Sequence, residues 1–148
     1  MKYIQDIGIE IPEDKAKISY VMTRELIRNM LRFDPQFNSG RHEHEDSYEN
    51  VLGSKSWIRL SFDSSNSLDE IEIITGNIIV NGVTVSIDGD LNETLSELQK
   101  IGCEFIERDY GWTDFSKKID IGDSGKNGSD SNRISWFYRA SNLDHLKE

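Results

Sequence analysis

The densest group of residues able to do chemistry is Arg-His-Glu-His-Glu-Asp, Arg41 to Asp46. On an extended segment alternate side chains point the same way, so His42 and His44 would share a face and could chelate a metal, with Glu43, Glu45 and Asp46 as further oxygen donors. No third ligand at a defined spacing is evident, and histidines and carboxylates in a polar loop are commonly just solvated, so no metal site is assigned. Cys103 is the single cysteine. With no neighbouring cation in sequence to lower its pKa, it reads as a small buried apolar residue rather than a nucleophile. His145 lies near the end of the sequence, a poor place for a rigidly held general base. The glycines flanking Lys126-Asn127 lack the Lys-Ser or Lys-Thr and the strand-to-helix context of a phosphate loop. Nothing here assembles a nucleophile with a base and an oxyanion donor, a glycosidase carboxylate pair or a cofactor fingerprint, so the expectation is a binding protein without cofactor, not an enzyme.

Charge carries more information than any motif. The net charge is −10 and the pI about 4.7, which argues against nucleic acid as a direct partner, because phosphates require Lys and Arg. From Leu60 to Gln99 there is no Lys or Arg at all. Such a balance serves solubility, and it would also suit a docking face for a basic protein. Asp63, Glu70, Glu72, Asp88 and Asp90 are the acidic candidates for that face. Tyr110 and Trp112, in the turn Asp109-Tyr110-Gly111-Trp112, would either cover the core or serve as aromatic anchors.

These residues must be held by elements, and the central ones lie between Trp57 and Ile87. Ile58, Leu60 and Phe62 alternate with Trp57, Arg59 and Ser61, the period of a strand with one buried face. A turn-forming run from Asp63 to Ser67 leads to Leu68–Ile74, with Ile71 and Ile73 on one face and Glu70 and Glu72 on the other. Another turn, Thr75 to Asn77, leads to Ile78–Val80 and Val83–Ile87, joined by Asn81-Gly82, the pair best suited to a type I′ hairpin. The pattern predicts a ladder of up to four strands in sequence order.

Upstream, Ile7, Ile9 and Ile11 predict a short edge strand ended by Pro12, and Ile18, Tyr20 and Val21 return the chain to the core. A helix is expected from Met22 to about Phe33, with Met22, Leu26, Ile27, Met30 and Phe33 inward, Arg24, Glu25, Arg28, Asn29 and Arg32 outward, and Asp34-Pro35 closing it. Tyr48, Val51 and Leu52 would anchor the irregular stretch that follows. Downstream, Asp90 and Glu93 form a capping box for a second helix with Leu91, Leu95, Leu98 and Ile101 on one face and Gly102 at its end. Cys103, Phe105 and Ile106 begin a strand reaching Arg108, and Lys117–Ile121 is another. Gly122–Asn132 reads as a flexible connection, and Arg133–Tyr138 as the last strand, with Ile134, Trp136 and Tyr138 on one side and Ser135 and Phe137 on the other. Ser141 and Asp144 would cap a closing turn through Lys147. The reading is a single α+β domain over 1–148, a mostly antiparallel sheet with two main helices packed on one face. Its two halves echo each other, each a helix followed by strands ending in a hairpin. No stretch approaches the roughly 20 apolar residues of a membrane span, and MKYIQDIGIE lacks the apolar core of a signal peptide, so a cytoplasmic protein is expected.

The hairpin IRLSFDSSNSLDEIEI at Ile58 to Ile73, the helix DLNETLSELQKIG at Asp90 to Gly102, and the closing KKIDIG and ISWFY strands together resemble the immunity proteins of bacterial polymorphic toxin systems, including contact-dependent growth inhibition. The resemblance is one of patterns covering about half the chain and carries no ligand or catalytic motif. It implies tight binding to one cognate toxin, often a basic nuclease, by covering its active site or a nearby surface. The alternative from another class is a small-molecule or metal-binding domain with Trp57, Trp112 and Trp136 around a cavity.

Overall fold

A computed structural model describes residues 1–5, 7–11, 16–31, 36–37, 44–49, 56–128 and 132–147. In chain order they form β1 (Lys2–Ile4), β2 (Gly8–Ile11), β3 (Ala16–Ser19), α1 (Arg24–Leu31), β4 (Gln36–Phe37), β5 (Glu45–Glu49), β6 (Trp57–Phe62) and β7 (Leu68–Thr75). Then come β8 (Asn77–Val80), β9 (Val83–Ser86), α2 (Leu91–Lys100), β10 (Ile106–Glu107), β11 (Gly111–Asp114), β12 (Ile119–Asp123) and β13 (Ile134–Ala140), with 3₁₀ turns at Ser124–Asn127 and Asp144–Leu146. The fold is α+β and mostly antiparallel, as the patterning predicts, but its strands build two sheets. The large one has eight strands in the order β10-β11-β12-β13-β7-β6-β5-β4, and the small one five in the order β3-β2-β1-β8-β9.

The expected four-strand ladder therefore divides. Trp57–Phe62 and Leu68–Thr75 pair in the large sheet, while Asn77–Val80 and Val83–Ser86 pair in the small one. The corner is Gly76, whose φ of 99° is open to glycine and where a Cβ would stand 2.3 Å from the Ser56 hydroxyl. Both local hairpins survive the division. Asn81 and Gly82 take φ of 48° and 85°, the positive pair a type I′ turn requires. The small sheet is completed by the N-terminal segment, with β1 lying parallel to β8. The Ile7–Ile11 strand is consequently interior, held between β1 and β3, and Ile7 itself is exposed.

The inner faces of the two sheets meet. Ile58, Leu60, Ile71, Ile73, Phe137 and Ile121 of the large sheet share a core with Tyr3, Ile9, Ile11, Ile18, Ile78 and Val85 of the small one, and the Tyr3 ring stands edge-on to Phe137 with centroids 5.6 Å apart. Burying this apolar surface is the main favourable contribution to folding. α1 lies against β3 and α2 against β9. The Asp90 carboxylate accepts from the Glu93 amide at 2.8 Å to cap α2, and Gly102 follows the helix at φ 102°. Leu91, Leu95 and Leu98 are buried as expected, whereas Ile101 is exposed.

Several expectations are corrected. Val21 is 86 % exposed and Leu26 also faces out, so α1 is anchored by Ile27 and Leu31. Arg24 and Arg28 are not outward charges but pair with Asp46. In the last strand a one-residue register shift against β12 places both Ile134 and Phe137 inward, leaving Trp136 and Tyr138 on the outer face. The strand after α2 is only Ile106–Glu107, both exposed. In its described part the expected flexible connection is structured: β12 continues to Asp123, whose carboxylate accepts from the Gly125 amide at 2.9 Å, and a 3₁₀ turn follows. Ser141 bonds Asp69 instead of capping the closing turn, whose preceding residue makes no side-chain cap. Pro12, Arg32 to Pro35, Arg41 to Glu43 and Val51 to Gly53 lie outside the described residues. Among the described residues, no helix is long and apolar enough to cross a membrane.

Candidate functional site

Strand alternation and the register of the large sheet generate one continuous polar row on its outer face. Reading across the strands, Arg59 on β6 stands opposite Glu72 on β7, Glu72 opposite Tyr138 on β13, Tyr138 opposite Asp120 on β12, and Asp120 opposite Thr113 on β11. A second row places Glu45, Ser61 and Glu70 side by side. Directly opposed side chains on one face are close enough to interact. The Arg59 guanidinium is 3.1 Å from Glu72 and 3.7 Å from Glu45. Arg59 is thus divided between two carboxylates, with Glu70 in the adjacent row. Burial, together with the neighbouring charges of Glu45 and Glu70, outweighs Arg59 and holds the Glu72 carboxyl above its usual range. Tyr138 is also pushed up, first by burial and then by the charge of Glu70.

At the far end of the row the carboxylate of Asp120 accepts from the Thr113 hydroxyl at 2.6 Å and from the Trp136 indole N–H at 2.8 Å. A cavity of about 200 Å³ opens beside it, lined by Arg108, Asp109, Tyr110, Gly111, Trp136 and Leu146. The 3₁₀ turn Asp144–Leu146 borders this face, His145 standing edge-on to Tyr138.

The sequence-predicted partner residues are dispersed by this geometry. Glu70 and Glu72 lie on the outer face, and Tyr110, 64 % exposed, lines its cavity. Trp112 is on the inner face of β11, packed against the core with Lys126 over its ring at 5.9 Å. Asp63 closes the β6–β7 turn, its carboxylate accepting from the amides of Ser65 and Ser67 at 2.8 and 3.0 Å. Asp88 adopts φ 69° and, with the cap Asp90, adjoins Ile134 at the start of β13. Glu70 is opposite Ala140 at the other end of that strand, about 20 Å away at roughly 3.3 Å per residue. The acidic set does not form one compact cluster.

The three tryptophans also separate, Trp112 and Trp136 lying on opposite faces and Trp57 on β6 beyond the intervening β7. The part of the histidine-rich loop that is described has structural duties. Asp46 is fully buried, and its carboxylate takes bonds from Arg24 at 2.6 and 3.0 Å and from Arg28 at 2.7 and 2.8 Å. Burial alone would raise its pKa, but the two guanidiniums outweigh that and hold it below the ordinary value. Among the described residues no group of three or more His, Cys, Asp or Glu side chains gathers as a metal site. Cys103 is buried, and burial followed by the charge of Asp114 pushes its thiol up despite the nearby Lys117.

Arg59, Tyr138 and Asp120 carry no chemical signal in the sequence, and Glu45 stands out there only as an oxygen donor beside the histidines. Their outward positions are readable from period-two alternation, but their adjacency depends on strand order. No protein-family model matches the chain, and no curated protein or solved structure matches it.

Proposed function

We propose that the chain is a cytoplasmic binding protein that neutralises a cognate basic toxin, such as a nuclease domain, by protein–protein association through the outer face of the large sheet. The observation that carries the reading is the gathering of carboxylates there: Glu45 and Glu72 pair with Arg59 and Glu70 lies in the adjacent row, in a chain whose net charge is −10. An acidic face attracts Lys and Arg surfaces, and the field of the whole chain adds steering to the encounter. A nuclease that grips phosphates presents such a surface, so the carboxylate rows would occupy the phosphate path. The same proposal takes the two helices as supports packed on one side and the two halves as an architectural echo.

The test is affinity capture of the tagged protein from its native cytoplasm at low and high salt, followed by stopped-flow association with the partner identified. A single basic protein, whose association slows with salt and slows again in Glu70→Gln/Glu72→Gln, is the expected result. Association indifferent both to salt and to that double substitution would remove the acidic face from the interaction.

A further inference from the structure

We propose that the cavity beside Trp136 receives one arginine side chain of the protein partner, the guanidinium lying on the indole and bonding to Asp120. The inference rests on the outer face being a protein-binding surface and names the group that enters it.

Asp120 is only 7 % exposed and its carboxylate is fixed by two neutral donors, Thr113 and Trp136. An ionised carboxylate offers about four acceptor positions, so about two remain. Neither donor cancels its charge, and Asp120 makes no ion pair among the described residues. A buried charge in that condition favours an incoming cation.

Trp136 supplies the platform. A Cβ on Gly122 would fall 2.2, 2.4 and 2.5 Å from three atoms around the ring fusion of its indole, so the ring lies flat on the glycine. Its opposite face is turned away from the sheet, where a cation can stack on it. Leu146, Gly111 and Tyr110 complete walls suited to an aliphatic stem. The volume of about 200 Å³ is below the roughly 300–1,000 Å³ typical of drug-sized ligands and suits a single side chain. Arginine fits better than lysine because a planar guanidinium can stack and bond a carboxylate at once. Arg108 also borders the cavity, but its guanidinium is drawn over the Phe115 ring, 5.8 Å from the centroid.

The probe is N-acetyl-arginine-N-methylamide, titrated into the full chain while the indole N–H resonance of Trp136, assigned with Trp136→Phe, is followed by NMR. A saturable shift is expected in the millimolar range, weaker with the lysine analogue and absent with the neutral citrulline analogue. Asp120→Asn should weaken binding roughly tenfold or more. Leu146→Trp, which fills the cavity from its partly exposed rim, should abolish it with the fold intact. No saturable shift, a shift with N-acetyl-glutamate-N-methylamide instead, or unaltered binding in Leu146→Trp would overturn the assignment. Because the probe contains no toxin, the two proposals fail separately. Binding of the probe, with partner association indifferent both to salt and to Glu70→Gln/Glu72→Gln, would support the pocket and remove the acidic-face reading. A captured partner whose affinity survives both Asp120→Asn and Leu146→Trp would keep the surface and overturn the pocket.

Discussion

Asp46 and Glu72 lie on opposite faces of the same sheet, each against arginine, and are pushed in opposite directions. Burial penalises the charge of both. On the inner face two guanidiniums surround one carboxylate with four short bonds, so the charge is held and the Asp46 carboxyl drops below its ordinary value. On the outer face one guanidinium is divided between Glu72 and Glu45, with Glu70 close by, and the Glu72 carboxyl rises. The first arrangement is closed and serves the fold, tying α1 to β5. The second sets three carboxylates beside one another on the outer face, where the proposed partner would dock.

The most disruptive way to break this contrast is Asp46→Ala, which leaves Arg24 and Arg28 against a buried surface without their shared acceptor. A loss of about 3 kcal/mol is expected by urea denaturation, at the lower end for broken buried pairs because Arg28 is 37 % exposed. An unchanged midpoint would show that the inner group contributes no more than a surface pair.

Next in size is Gly122→Ala, which removes the seat of Trp136 on the outer face. A cost of about 1–3 kcal/mol is expected from the forced displacement of the ring. Loss of Trp136 anisotropy should accompany it; if both stability and fluorescence are preserved, the indole is not seated on Gly122.

The two carboxylates should also respond oppositely to pH. The folded Asp46 lies below its ordinary 3.8, so its stabilisation is present above that value and is lost as pH falls through the lower folded value. The folded Glu72 lies above its ordinary 4.5, so its ionisation opposes folding and stability from this group falls as pH rises through that interval. Asp46→Asn should therefore remove part of the acid-side loss. Glu72→Gln should flatten the slope just above 4.5 without lowering stability at neutral pH. Urea midpoints across a pH series decide both, and a Glu72→Gln protein clearly less stable at pH 7 would mean the outer pair is as closed as the inner one.

The smallest effect expected concerns Asp90. Asp90→Ala should cost about 1 kcal/mol through loss of the helix cap, and Asp90→Ser almost nothing, since a hydroxyl caps as well. If Asp90→Ser nevertheless slows partner association, its charge contributes to the docking face in addition to the cap.

The sequence by itself determined what depends on near neighbours. The alternation in Trp57–Phe62 chose the buried residues Ile58, Leu60 and Phe62, Asn81-Gly82 set a two-residue turn, and Asp90 with Gly102 bounded α2. Each is a matter of backbone conformation or side-chain period within a few residues. Tertiary structure alone decided that the ladder divides at Gly76 and that β1 completes the second sheet by a parallel pairing with β8. It also decided that Phe137 faces the core, so that Trp136 faces out, that a register shift brings Ile134 inward as well, and that Arg24 and Arg28 face Asp46. Those outcomes rest on contacts between residues far apart in the chain. Local propensity is nearly silent about them, because an outward arginine and a buried one have the same helical spacing until a distant carboxylate is placed against them.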